Sequence, residues 1–121
     1  MKFILSMPPS INQSYGVNRD KVDPLYKKPK VREWENEAGW EVKRQLMNQT
    51  PKTYYKDIYF YVDFYYKFNR DIDAGIKVLL DLFQKQGIYL NDIQIINLVV
   101  TKNSDPKNPR AEVIISDHEI F

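Results

Sequence analysis

The chain contains no cysteine and only one histidine, His118, close to its C-terminus. The absence of cysteine excludes disulfide bonds and thiolate zinc sites. A lone histidine near a chain end excludes most histidine-based metal sites. It also argues against a serine–histidine mechanism, because a catalytic base has to be held rigidly. The reactive groups that remain are carboxylates, lysine and arginine.

Long hydrophobic runs are absent as well. The apolar run in the N-terminal stretch MKFILSMPPS is too short for the apolar core of a signal peptide and far too short to cross a bilayer. We therefore expect a cytoplasmic protein. The length of 121 residues predicts one domain over residues 1–121, and a hydrophobic fraction of 43% is typical of a folded chain.

Positive charge is concentrated in one part of the chain, although the net charge is only +2. The cations of this part are Arg19, Lys21, Lys27, Lys28, Lys30, Arg32, Lys43 and Arg44. The segment from Lys27 to Arg32 has four cations and no anion. It is either a phosphate-binding surface or a solvated loop, and the charge pattern alone does not decide between them.

The pattern of apolar residues predicts strands over residues 2–6, 55–68, 93–101 and 111–116, and helices after Pro29 and over residues 73–86. Residues 8–29 lack periodicity, and we expect a long, exposed and mobile loop there. Trp34 lies on the apolar stripe of the first helix, so we assign it to the core. The order β, α, β, α, β, β predicts an α+β fold with two main helices packed on a small mixed sheet.

One face of the long strand over residues 55–68 is rich in tyrosine and too apolar for plain exposure to solvent. It could contact DNA or a second subunit. Tyrosine is enriched at protein interfaces, which favours the subunit.

Carboxylates cluster in the central third of the sequence. Asp71 and Asp73 are two residues apart at the junction of a strand and a helix, so both can point to one side. Lys77 follows Asp73 by four residues, which predicts the same helical face. Asp92 lies on the turn after this helix, and the return of the chain is expected to bring it beside the first pair.

Convergent carboxylates with a nearby lysine suit hydrolysis of phosphodiesters. Mg²⁺ prefers carboxylate and water oxygens, and it can activate water and stabilise charge on the leaving oxygen. Each residue also has a simpler explanation. Asp73 could cap the helix, Asp92 could be a turn residue, and Lys77 could form a surface ion pair with Asp81.

The segment Phe68–Lys102 resembles the RusA-type Holliday junction resolvases of bacteria and their phages. The resemblance is carried by Arg70-Asp71-Ile72-Asp73, Lys77, Leu80-Asp81, Gly87-Ile88, Asn91-Asp92, Gln94-Ile95 and Lys102. It implies a homodimer that cuts four-way junctions with Mg²⁺, or Mn²⁺ as a substitute. It implies Asp71, Asp73 and Asp92 as catalytic metal ligands and Lys77 as a catalytic lysine.

On this interpretation the candidate DNA contacts are Arg19, Lys27, Lys28, Lys30, Arg32 and Arg70. Two positions depart from the family pattern. Ala74 stands where the family usually has asparagine, and Asn91 stands where it often has an acid. These departures leave open a second hypothesis, a junction- or DNA-binding protein that does not cut. A third hypothesis is an unrelated α+β protein whose acids are caps and turn residues.

Overall fold

The computed structural model describes residues 1–9, 15–17, 25–27, 29–50 and 52–119, with the backbone alone for 15–17 and 25–27. The elements in chain order are β1 (Lys2–Leu5), β2 (Tyr15–Val17), β3 (Leu25–Lys27), α1 (Pro29–Leu46), β4 (Ile58–Tyr66), α2 (Ile76–Lys85), a 3-10 turn (Asp92–Gln94), β5 (Ile95–Ser104) and β6 (Arg110–Ser116).

Four of the strands form one mixed sheet in the order β1-β6-β4-β5. The pairs β1–β6 and β4–β6 are antiparallel, whereas β4 and β5 are parallel and are joined through α2. The expected α+β fold, with two helices on a mixed sheet, is confirmed.

One face of the sheet carries the core. Alternate residues of β4, among them Phe60, Val62 and Phe64, are buried there. Phe83 of α2 packs against this face, with its ring centroid 5.1 Å from that of Phe3 and 5.7 Å from that of Phe60. Trp34 of α1 is buried in the same cluster, as the sequence predicted.

Helix α1 protects the β1 edge of the sheet. Gln45 accepts a hydrogen bond from the Ile4 N–H and donates one to the Ile4 carbonyl, both at 2.7 Å. Gln49 does the same for Lys2, and Glu41 accepts from the N–H of Ser6. Glu41 and Gln45 lie four residues apart on one face of α1, and Gln49 follows soon after the helix ends at Leu46. This face and the turn after it therefore satisfy outward-facing backbone groups of the edge strand and of Ser6.

The opposite edge, β5, is different. Its ten residues include the exposed apolar side chains Ile96 (54%), Leu98 (41%) and Val99 (36%). An edge strand presents unpaired N–H and C=O groups, and an exposed apolar one is a template for pairing with another chain. Among the described strands, only β4 pairs with β5.

Three local predictions differ from the structure. The expected loop over residues 8–29 contains the short antiparallel hairpin β2–β3, and much of the remainder lies outside the described residues. The second helix begins at Ile76 instead of Asp73, because a turn precedes it. The long strand ends at Tyr66, so Phe68 is exposed instead of continuing the buried alternation.

No helix within the described ranges is both long and apolar enough to cross a membrane.

Candidate active site

Asp71 and Asp73 lie on the turn that connects β4 to α2. The Ala74 N–H donates to the Asp71 carbonyl at 3.1 Å, and the Ile76 N–H donates to the Asp73 carbonyl at 3.3 Å. The residue that caps α2 is Gly75, and no side chain bonds to the helix start. Asp73 is therefore not a helix cap, and its carboxylate, like that of Asp71, is exposed.

Close packing fixes this turn against the N-terminal segment. A Cβ at Gly75 would lie 2.7 Å from Cγ of Pro8, too near for any side chain without movement. The Arg70 guanidinium donates to the Pro8 carbonyl at 2.7 Å. The two aspartates thus follow a segment that is held in place by the rest of the fold.

Lys102 of β5 holds the same segment from the other side. Its Nζ donates to Asn69 Oδ1 at 2.9 Å and to the Arg70 carbonyl at 3.2 Å. Lys102 is paired with Phe64 in the register of β4 and β5, which places this contact near the C-terminal ends of both strands.

Asp92 begins the 3-10 turn before β5. The Asn91 side chain accepts from the Ile93 N–H, and the Gln94 side chain accepts from the Asn91 N–H, so the two residues form a capping box. Gln94 also donates to the carbonyls of Tyr54 and Lys56. Asn91 and Gln94 supply the caps, which leaves the exposed Asp92 carboxylate out of that role.

The Tyr89 hydroxyl lies close to Asp92. It donates to the Leu80 carbonyl at 2.6 Å. Burial raises the pKa of Tyr89 far above its ordinary value, and the charges of Asp92 and Asp81 raise it further. Tyr89 therefore stays neutral, so the charge at this turn is that of the carboxylates.

Lys77 is exposed in the first turn of α2, and Asp81 lies one turn along. Both side chains interact with other groups. Because the helix begins at Ile76, Asp73 precedes it. The expected relation of Asp73 and Lys77 as helical neighbours on one face does not apply as stated.

The three aspartates do not meet within one chain. In the parallel register Ile58 pairs with Ile95 and Tyr66 pairs with Ser104. Asp71 and Asp73 follow the C-terminal end of β4, whereas Asp92 precedes the N-terminal end of β5. At about 3.3 Å per residue, the eight steps along the nine-residue strand β4 separate these ends by roughly 26 Å.

This arrangement corrects the expectation that the return of the chain brings Asp92 beside the first pair. Helix α2 carries the chain back to the start of the sheet, as a parallel connection requires, and leaves Asp92 there. Within the described part of the chain, no three Asp, Glu, His or Cys side chains form a group that could hold a metal ion.

The candidate DNA contacts are only partly visible. Arg19 and Lys28 lie outside the described residues, and for Lys27 only the backbone is described. Lys30 and Arg32 are exposed at the start of α1. Arg70 is half-buried, with its guanidinium 4.9 Å from the centroid of the Tyr66 ring. Burial lowers the pKa of Arg70, although an arginine this basic remains charged.

Comparison with protein-family models gives a match to endodeoxyribonuclease RusA over residues 7–116, nearly the whole chain. The chain belongs to the RusA endodeoxyribonuclease family. The resemblance expected from the sequence is thereby confirmed. Membership implies a junction-resolving endonuclease and removes the hypothesis of an unrelated α+β protein. No curated protein shows a significant match to the chain.

The departures from the RusA pattern have structural counterparts. Asn91 is the N-cap of the 3-10 turn, a role for which asparagine is among the preferred residues. Ala74 is buried in the turn after Asp73. Neither position is therefore a sign by itself that the site has lost its chemistry.

Sequence reasoning gave no role to Gln94, which ties the Asp92 turn to the segment before β4. The spacing Asn-x-x-Gln is a capping-box pattern, so the signal was present in the sequence. Asn69 and Tyr66, next to the other two aspartates, carried no such signal.

Proposed function

We propose that this RusA-family chain is a dimeric, Mg²⁺-dependent endonuclease that cuts four-way DNA junctions. The observation that carries the proposal is the family match over residues 7–116. The structure adds support, because Asp71, Asp73 and Asp92 are exposed and none of them serves as a cap.

The donor set suits Mg²⁺, which prefers carboxylate oxygens. Asp71, Asp73 and Asp92 would hold the ion, and Mn²⁺ would be an acceptable substitute. Bound there, it would supply activation of water and stabilisation of charge on the phosphate oxygens. Lys77 would place its ammonium group near the scissile phosphate and offset negative charge that develops during cleavage.

The separation of the aspartates gives the dimer a specific role. The described residues of one chain contain no group of three acids that could hold a metal ion, which supports a site that Asp92 of a second copy would complete. The open β5 edge offers a way to bring that copy into place, since the β1 edge is already satisfied by α1 and the turn that follows it.

Antiparallel pairing of two β5 strands about a two-fold axis would meet this requirement. If the two-fold axis passes through the middle of β5, Ile95 lies opposite Ser104 of the partner subunit. Asp92 then lies at the end of the partner's sheet that carries the other two aspartates. The dimer would contain two identical sites, which suits a junction with approximate two-fold symmetry.

Arg19, Lys27, Lys28, Lys30, Arg32 and Arg70 would contact DNA phosphates without regard to sequence, so junction binding would weaken as salt rises. Cleavage of branched DNA would serve recombination or repair. Its place would be the cytoplasm of a bacterial cell, including one that carries phage genes.

The test is cleavage of a labelled synthetic four-way junction with Mg²⁺ and with EDTA. Asp73→Asn should lower the cleavage rate by roughly 100-fold or more, the range for loss of one charged group at a reacting centre. Binding in a gel-shift assay should remain. Asp117→Asn, which changes an exposed carboxylate after β6, is the matched control and should cut normally.

The same assay separates the second hypothesis from the first. A protein that binds without cutting would shift the junction and leave it intact in Mg²⁺. A wild-type protein of that kind would contradict the proposed nuclease activity.

A further inference from the structure

Tyr66, at the C-terminal end of β4, has a buried hydroxyl group whose O–H finds no acceptor among the described residues. The residue is 3% exposed, and its hydroxyl has no hydrogen bond of good geometry with a described residue, although the Arg70 guanidinium interacts with it. A guanidinium can only donate, so the O–H of Tyr66 still has no acceptor among the described residues. A buried polar group that lacks a hydrogen bond destabilises a fold, so an unsatisfied hydroxyl calls for an explanation. Burial also raises the pKa of Tyr66, by more than the charge and the hydrogen bonding of Arg70 lower it, so the hydroxyl stays protonated and able to donate.

The surroundings of Tyr66 are cavities and cations. One cavity of about 280 Å³ is lined by Tyr66, Asn69, Lys102, Asn103 and Ser104. A second, of about 360 Å³, is lined by Tyr66 together with residues that include Asn69 and Arg70. Tyr66 and Asn69 therefore line both, directly before the turn that carries Asp71 and Asp73.

The positive charge here is not neutralised by a described carboxylate. Both hydrogen bonds of the Lys102 ammonium go to uncharged oxygens, on Asn69 and Arg70. A lysine has three N–H donors, so one remains. The Arg70 guanidinium donates to the carbonyl of Pro8, and it too forms no ion pair in the described part of the chain.

We infer that Tyr66, Asn69 and Lys102 form a phosphate-binding subsite that holds a DNA phosphate next to the one being cut. The inference rests on the proposed function, and it adds three residues to the DNA contacts predicted from the basic segment. An anion at this place would receive a hydrogen bond from the Tyr66 hydroxyl and from the remaining N–H of Lys102. The side-chain amide of Asn69, whose oxygen already accepts from Lys102, has its NH₂ group available as a further donor.

The position of the subsite suggests its function, which is to align the DNA strand with the aspartates. A phosphate held here fixes the register of the strand relative to Asp71 and Asp73, a few residues along the chain. Contacts to the DNA backbone position a substrate without reading its sequence. Such a contact suits an enzyme that selects the branched shape of its substrate.

Two variants test the inference by junction binding in Ca²⁺, which avoids dependence on cleavage. Lys102→Gln should reduce the slope of log affinity against log salt concentration by about 0.9 for each DNA phosphate that the protein no longer neutralises. Lys107→Gln, which removes an exposed lysine from the turn between β5 and β6, is the matched control and should leave the slope unchanged.

Tyr66→Phe distinguishes a role in DNA binding from a purely structural role of the hydroxyl. Removal of an unsatisfied buried hydroxyl should raise the melting temperature of the free protein by a few degrees. The same variant should bind the junction roughly ten- to a hundredfold more weakly, as removal of one hydrogen bond to a charged phosphate predicts. Stability and affinity would then move in opposite directions.

Unchanged affinity in Tyr66→Phe and an unchanged salt slope in Lys102→Gln would overturn the subsite. The subsite would also be overturned if Lys102→Gln dissociates the dimer in gel filtration but leaves the salt slope of junction binding unchanged. The lysine would then serve the subunit interface and not the DNA. If wild-type protein binds the junction but does not cut it, the proposed nuclease activity fails, and the binding measurements still decide the subsite.

Discussion

Mixed dimers test the proposed sharing of the metal ligands between subunits. Asp73→Asn and Asp92→Asn should each inactivate both sites of a homodimer. In a mixed dimer of the two variants, one site combines both substitutions. The other combines Asp71 and Asp73 of one subunit with Asp92 of its partner, all unchanged. That second site should be active.

The expected magnitude follows from symmetry. Random association of equal amounts gives half of the dimers as mixed ones, each with one intact site, so about a quarter of the wild-type number of sites is recovered. The structural basis is the separation of the strand ends by roughly 26 Å, which keeps Asp92 away from the other aspartates of its own chain.

The assay is co-expression of the two variants with different tags, followed by single-turnover cleavage of a labelled junction. Because only one site of each mixed dimer works, nicked junctions should exceed resolved ones. A mixture of Asp71→Asn and Asp73→Asn subunits is the control. Both of its mixed-dimer sites carry a substitution, so no activity should return. If both mixtures are equally inactive, the proposed sharing of the site between subunits is wrong, and the three aspartates of a site belong to one chain.

Three further outcomes are expected. Leu98→Lys should convert the proposed dimer to a monomer in gel filtration, because it adds charge to the open β5 edge. Ile4→Lys changes a similarly exposed apolar residue on the protected β1 edge and should not have this effect. A dimeric Leu98→Lys protein would argue against this interface. Gly87→Ala should lower the free energy of unfolding by about 1–2 kcal/mol, because Gly87 has a positive φ of 76° that a side chain disfavours, and Gly87→Asn should lower it less. Equal stability of the wild type and both variants in urea denaturation would contradict this. Gln94→Ala should lower the free energy of unfolding by about 1–3 kcal/mol, because it removes the hydrogen bonds of this side chain. It should also reduce cleavage more than the control Gln84→Ala, at an exposed glutamine, because it releases the Asp92 turn. Normal cleavage by Gln94→Ala would show that the turn needs no such support.

The elements of this fold could be predicted because their signals are local. Alternation in β4 and the stripe from Val31 to Val42 in α1 reflect which side chains are buried, and burial follows the period of each element. The start of α2 was less predictable. Asp73 is a favourable cap by residue type, but the packing of Gly75 against Pro8, far away in sequence, sets the turn there.

The candidate site could be predicted as a set of residues but not as a geometry. The sequence pattern identified Asp71, Asp73, Lys77 and Asp92 as candidates, and these assignments stay predictions. Whether Asp92 joins the others depends on the direction in which β5 pairs with β4. Parallel pairing through α2 is a long-range property that the residues around Asp92 do not encode.

The hydrogen bonds that Glu41, Gln45 and Gln49 make to β1 also limit how many copies can join. A sheet with both margins available can add neighbours without end and grow into a fibre. Here one margin is already occupied by the chain's own helix and the turn that follows it, so a strand from another molecule can be added only at the other. Self-association through the sheet would therefore stop at a pair, with an eight-stranded sheet closed at both outer borders.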